Sequence, residues 1–278
     1  MDYQRIVDNL SQKLDTGSLL PRRKEDTMLA KKLAVSMMLA LLFLSKPLWA
    51  QSFNLPDTMD SVAQLIVVGI DGRSPQVTGT AFFVGDGSLV ATAAHVYWAM
   101  GSQINNQRGG IMFLQKVSLK GDHMFRVPVE LIKTDDEHDV ALFGLDRRAI
   151  TAMWPDFKIK PLSLAKQVPE IGESTVFLGY FGSDQLPIGI SGMIAGFSKV
   201  QVASGLIDDL IVDGMANAGQ SGGPLISIKT GEVVGIMTIS VPMVGVFAAG
   251  TTPAHSGVSR ATSVQYLVRL MEASAVPK

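Results

Sequence analysis

The sequence predicts an all-β protein: two six-stranded antiparallel barrels and a C-terminal helix, preceded by an N-terminal signal or anchor segment. Three observations predict it. From residue 61 onward, short apolar or alternating runs recur about every ten residues, separated by Gly, Asp, Asn and Pro. The runs form two halves of similar style around a Pro- and charge-rich connector, 146–168. Closing each half into a barrel removes its sticky edges. Only Ser263–Ser274 has helical spacing, with Val264, Leu267, Val268, Leu270 and Met271 on one face.

In the first half the candidate strands are Val62–Ile70, Thr80–Val84, Leu89–Ala93, Ile111–Leu119, Arg126–Lys133 and Val140–Leu145. In the second they are Ser174–Tyr180, Ile188–Phe197, Val200–Ala203, Leu206–Val212, Leu225–Ile228, Glu232–Val241 and Val244–Ala248. The domain plan is a polar extension 1–27, a signal peptide or anchor 28–50, a linker 51–60, a first barrel 61–160, and a second barrel with its helix, 161–273.

Composition narrows the function. The 278 residues are 47% hydrophobic, ample for substantial cores. Lys and Arg number 24 against 25 Asp and Glu, and no basic stripe interleaves with aromatics, so no nucleic-acid partner is expected. Cysteine is absent, which excludes disulfides, thiolate metal sites and a cysteine nucleophile. No zinc or calcium ligand spacing occurs, and neither metal nor cofactor is expected.

The N-terminus speaks to compartment. Lys31 and Lys32 precede the apolar run Leu33–Leu44, and Ser45-Lys46-Pro47-Leu48-Trp49-Ala50 follows it, before Gln51. A basic start, a short apolar centre and a small residue before the cut make a secretory signal, and such a run is short for a membrane span. Either translation begins at Met28 and 28–50 is cleaved, or the longer form keeps the run as a signal-anchor. In the second case Arg22, Arg23, Lys24, Lys31 and Lys32 hold the N-terminus in the cytoplasm. Both place the body in the periplasm or outside the cell, with membrane attachment only through residues 33–50.

The chemistry centres on Asn217-Ala218-Gly219-Gln220-Ser221-Gly222-Gly223-Pro224. A serine hydroxyl is a weak nucleophile until a base takes its proton and donors stabilise the oxyanion. Glycines on both sides allow a sharp turn with unshielded amides, so the N–H groups of Gly219 and Ser221 are candidate oxyanion donors. The plain alternative is a Gly-rich surface turn. Of four histidines, His95 ends a strand of small residues, Thr92-Ala93-Ala94, and is the candidate base. His123 and His138 lie in acidic loops and are expected to be solvated; His255 follows Thr252-Pro253-Ala254 and is expected in a loop. Asp139 alone of its acidic cluster runs directly into an apolar strand, which suits a carboxylate that orients an imidazole.

Taken together, Thr92-Ala93-Ala94-His95, Asp139-Val140-Ala141-Leu142 and Gly219-Gln220-Ser221-Gly222-Gly223-Pro224, in that order, resemble the trypsin-like (chymotrypsin-fold) serine peptidases. The likeness is to their bacterial, disulfide-free branch, typified by the HtrA/Deg protease domain. It spans about residues 61–273, takes in Gly79-Thr80-Ala81-Phe82, and lacks a following PDZ-like segment. It implies two perpendicular barrels with the site between them. It also implies Ser221 as nucleophile, His95 as base and then acid, Asp139 as its orienter, and Gly219 and Ser221 as oxyanion donors. Thr238 falls where the family has a hydroxyl bonded to the triad carboxylate. Met215, Ile239 and Ser240 fall in the primary substrate pocket and suggest an apolar or small preference; Met215 replaces an acid, and Met237 replaces a histidine of glutamate-specific relatives. Gln220 stands where relatives have Asn or Asp, so activation by a freed N-terminal ammonium is not expected. The implied partners are protein or peptide substrates, exported or in the cell envelope.

Two rivals stand beside this. Gly219-Gln220-Ser221-Gly222-Gly223 fits the nucleophile elbow of α/β-hydrolases, but Pro224 opposes the helix that fold needs after its serine. The other is a non-catalytic or latent protease-fold binding or scaffold protein.

Overall fold

A computed structural model describes residues 53–70, 76–106, 109–117, 124–153, 159–182, 184–242 and 255–274. The strand expected at Val244–Ala248, the apolar run Leu33–Leu44 and His123 lie outside the described residues. No helix among the described residues is long and apolar enough to cross a membrane.

In chain order the elements are α1 (Leu55–Met59), β1 (Val62–Gly69), β2 (Gln76–Val84), β3 (Leu89–Thr92), α2 (Ala94–Asn106), β4 (Gly110–Val117), β5 (Met124–Pro128), β6 (Glu130–Asp135), β7 (Val140–Gly144) and α3 (Arg147–Met153). The second half holds β8 (Ser174–Gly179), β9 (Ile188–Val202), β10 (Gly205–Asp213), β11 (Pro224–Ser227), β12 (Val233–Pro242), β13 (His255–Ser263) and α4 (Val264–Ser274). α1 lies within the stretch expected as a linker, and α3 opens the connector.

The protein is mostly β, and the second half closes into a six-stranded barrel, β10-β13-β12-β11-β8-β9. The first half differs from the expected closed barrel of six. It is a seven-stranded sheet, β5-β4-β1-β2-β3-β7-β6. The expected strand Arg126–Lys133 divides at Pro128 and Val129. Pro128 is the last residue in register with β4, Val129 N–H gives a final bond to Met112 O, and pairing with β7 begins at Glu130. The two edge strands are therefore consecutive, and the segment Met124–Asp135 curls the sheet back on itself.

Both faces of the central strands are buried, since consecutive residues of β2, β7, β8 and β11 are covered. Leu65, Phe82, Phe83, Leu142 and Phe143 fill the first half; Phe177, Leu178, Leu225, Ile226 and Ile236 fill the second. Burying each such side chain contributes roughly 1.5–3 kcal/mol. Helix α4 buries Val264, Leu267 and Leu270 as its spacing predicts, against β6 and β7 of the first half and β12 of the second. It straps one half to the other.

Candidate active site

His95 stands in the first turn of α2, a helix the strand-like period around it does not announce. Amides in a helix's first turn have no partner within the helix. Asp139 supplies one: its Oδ1 accepts from the His95 backbone N–H at 2.8 Å, while its Oδ2 lies 2.7 Å from Nδ1 of the ring. One carboxylate thus caps the helix, where its charge suits the dipole, and orients the imidazole. An ionised carboxylate only accepts, so the hydrogen belongs on Nδ1 and Nε2 keeps its lone pair. The pair is partly open to water, with side-chain exposures of 46% and 28%. At that exposure an ion pair contributes about 1 kcal/mol at most, so its value is geometric rather than stabilising. Asp139 holds φ at +55°, in the left-handed region, where Asp is tolerated better than most residues.

The serine comes from the other half. Thr80 N–H donates to Ser221 O at 2.8 Å, so β2 is seated against the serine loop. The fit is close: a Cβ added at Gly79 would lie 2.7 Å from Val96 and 2.8 Å from Ser221 O. One added at Gly222 would collide with Thr92 Oγ1 and the Thr80 carbonyl. The segments carrying His95 and Ser221 are thus packed against one another across the junction of the halves. Ser221 Oγ itself donates to the Thr238 carbonyl at 2.9 Å.

Three successive peptide planes around the serine are each pinned by the carbonyl. Ala218 O accepts from Gly182 N at 3.0 Å, Gly219 O from Thr80 Oγ1 at 2.7 Å, and Gln220 O from Gly223 N at 3.0 Å. Gln220 N–H is used on Asn217 O, while Gln220 Oε1 takes the Asn217 N–H at 2.7 Å. Among the described residues, the Gly219 and Ser221 amides make no such bond. Gly219 has φ +95°, and a Cβ there would lie 2.6 Å from Tyr180 O, so this turn requires glycine. The result is two unspent donors on residues that flank Gln220.

The other expected residues fall as follows. The Thr238 hydroxyl does not reach the carboxylate; it donates to Arg260 O at 3.1 Å. A register shift between Met237 and Ile239 removes Thr238 from the β12–β13 ladder, and its side chain makes up the missing bond. Met215 is half-exposed beside the loop, and its segment is held by Ser259, whose Oγ accepts from Ala216 N and donates to Gly214 O. The side chains of Ile239 and Ser240 lie outside the described residues. His138 is not solvated: its Nδ1 is 2.8 Å from Asp135 Oδ2 and its ring stacks on Tyr266 of α4 at 3.7 Å. His255 opens β13 instead of lying in a loop. After Ser221 the chain turns into β11 at Pro224, which rules out the elbow of an α/β-hydrolase.

Sequence reasoning missed the surroundings of Asp139. A hollow of about 310 Å³ is lined by His95, His138, Asp139, Asp209, Thr238 and Arg260, among others. Burial pushes the Asp209 carboxyl above its ordinary pKa, with Arg260 opposing the shift. These charges come from strands distant in sequence, and no local pattern marks them. Among the described residues no group of His, Cys, Asp or Glu could hold a metal ion.

The serine protease HTRA4 of Mus musculus is 27% identical over 172 residues, and the rat serine protease HTR4 is 26% identical over 168. Each match covers 60% of this chain but only about a third of the relative, 31% and 30% respectively. Among solved structures, the active form of the Rv3671c protease from M. tuberculosis superposes with a TM-score of 0.57 at 17% identity, covering 84% of this chain and 88% of that one. Deg5 gives 0.54 at 18%, covering 76% and 87%. These likenesses show the same fold. The profile of the trypsin-like peptidase domain matches residues 79–236, more than half of the chain, and the chain therefore belongs to the trypsin-like peptidase family.

Proposed function

We propose that this protein is a serine endopeptidase acting by acyl transfer through Ser221, His95 and Asp139. One observation supports the reading: the helix start that carries the Asp139-bonded His95 and the loop of Ser221, with its two unspent amides, pack on the same strand, β2, at the junction of the halves. In the reaction Ser221 Oγ leaves Thr238 O, gives its proton to His95 Nε2 and attacks the substrate carbonyl. Hydrogen bonds of this kind often tighten only when substrate is bound. The Gly219 and Ser221 amides receive the developing oxyanion, the protonated His95 hands its proton to the leaving amine, and water repeats the sequence to free the enzyme.

The half-exposed Met215 supports an apolar or small residue on the acyl side of the cut. A peptide library showing preference for Lys or Arg there would contradict this. The basic, apolar and small-residue pattern over 31–50 supports export and substrates outside the cytoplasm. N-terminal sequencing of the product recovered from the cell envelope tests it. The bond from Ser221 Oγ to Thr238 O gives one concrete basis to the latent alternative, in which substrate or a partner must first turn the hydroxyl. A fluorophosphonate probe separates the cases: wild type should label and Ser221→Ala should not. An unlabelled wild type would support the scaffold reading.

A further inference from the structure

Of the three bonds that pin the peptide planes around Ser221, two join backbone to backbone and one comes from a side chain. That side chain is Thr80, fully buried on β2 of the opposite half. Its hydroxyl has one hydrogen to give and lone pairs to receive with. Gly219 O, at 2.7 Å, can only accept; the Tyr180 amide, at 3.0 Å, can only donate. The hydroxyl orientation is therefore fully determined. Thr80 N–H goes to Ser221 O at 2.8 Å, and Thr80 O is itself held by Thr92 Oγ1 at 2.7 Å. One residue thus grips the serine loop at Gly219 and Ser221. It also grips the start of the 180–184 segment, whose Gly182 amide pins Ala218 O.

That segment has a second tether in the first half. Gln64 Nε2 donates to Asp184 O at 2.7 Å, and Gln64 Oε1 accepts from Gln115 Nε2 at 2.9 Å. Gln115 Oε1 in turn accepts from Arg126 Nε at 2.7 Å. Both glutamines are buried, so this amide chain cannot exchange freely with water.

We propose that Thr80 is the positioning residue of the oxyanion donors: its hydroxyl fixes Gly219 O and Tyr180 N so that the Gly219 and Ser221 amides converge where charge develops. It touches no reacting atom. The inference rests on the peptidase reading above. Removing the hydroxyl while keeping the shape leaves a buried carbonyl and a buried amide unpaired, and the loop relaxes toward other partners. Misplacement of an oxyanion donor is felt in the transition state more than in the bound substrate.

The test is steady-state kinetics on a chromogenic peptide, with a peptidyl boronic acid as the probe whose tetrahedral oxygen takes the place of the oxyanion. Thr80→Val should lower kcat roughly 10- to 100-fold with KM unchanged, and weaken the boronic acid by the same factor. Thr80→Ser should restore both. Should Thr80→Val not fold, Thr80→Cys, close in size with a weaker donor, takes its place under the same criteria. Wild-type kcat and boronic acid affinity in the variant would overturn the proposal. So would a loss shared equally by kcat and KM that serine fails to rescue, since that is general damage. Failure of the peptidase reading looks different: wild type itself would neither turn over peptide nor label with fluorophosphonate.

Discussion

Replacing Asp139 with asparagine probes the carboxylate–imidazole pair with the least disturbance elsewhere. Asparagine is the residue best able, after glycine, to hold φ near +55°, so the backbone between β6 and β7 has no reason to move. Its side-chain oxygen keeps the bond from the His95 amide, now made by Oδ1, and the start of α2 stays capped. The remaining amide NH₂ then faces Nδ1 at the 2.7 Å contact, where it can only donate. Nδ1 must become the acceptor, the ring hydrogen moves to Nε2, and the lone pair that would take the Ser221 proton is lost. In a serine protease of this triad type, the same wrong-tautomer change lowers kcat about 10⁴-fold, or about 5.4 kcal/mol of barrier. Stability should change little, because the pair is partly exposed; about 1 kcal/mol corresponds to roughly 2–4 °C in a domain of this size. The assay is kcat on a chromogenic peptide beside a thermal melt of the same preparation. A folded Asp139→Asn protein within tenfold of wild-type kcat would refute the reasoning.

Other perturbations test neighbouring parts. Gly219→Ala places a Cβ 2.6 Å from Tyr180 O in a left-handed backbone; kcat should fall at least 10²-fold while fluorophosphonate labelling slows in proportion. Asp209 has a folded-state pKa above its unfolded value, so ionising it costs stability, and that cost grows as pH rises through the carboxylate range. Asp209→Asn should therefore raise Tm at neutral pH, with the gain vanishing below about pH 4, where both states hold the proton. A variant less stable than wild type at pH 7 would show instead that the attraction to Arg260 outweighs burial.

How far the sequence revealed all this depends on whether a feature is local. Strands read well where apolar residues alternate or run between glycines: β1, β3, β7, β8 and β11 lie close to the expected stretches. Helix α4 was legible from its apolar face. Helix α2 was not, because its buried Val96 and Met100 are too few, among small and polar neighbours, to mark a stripe. The histidine and aspartate motifs point to two residues that do bond one another, and the serine motif to a loop seated on β2, since each is a short run with its own chemistry. The Thr238 hydroxyl went elsewhere because a register shift in the sheet, not the sequence around it, decides where it bonds. His138 looked like a solvated loop residue, yet Tyr266, 128 positions away, covers its ring. The bonds that Thr80 and Gln64 make are hidden for the same reason: the groups they hold are backbone atoms more than 100 residues distant.

The central claim is that Ser221 becomes covalently acylated during turnover. The direct measurement is intact mass of the protein, quenched in acid within milliseconds of mixing with a slowly released ester substrate, followed by peptide mapping. A single acyl group on Ser221, absent from both Ser221→Ala and His95→Ala, is the expected result. Turnover without any adduct, or an adduct carried by another side chain, would contradict the account.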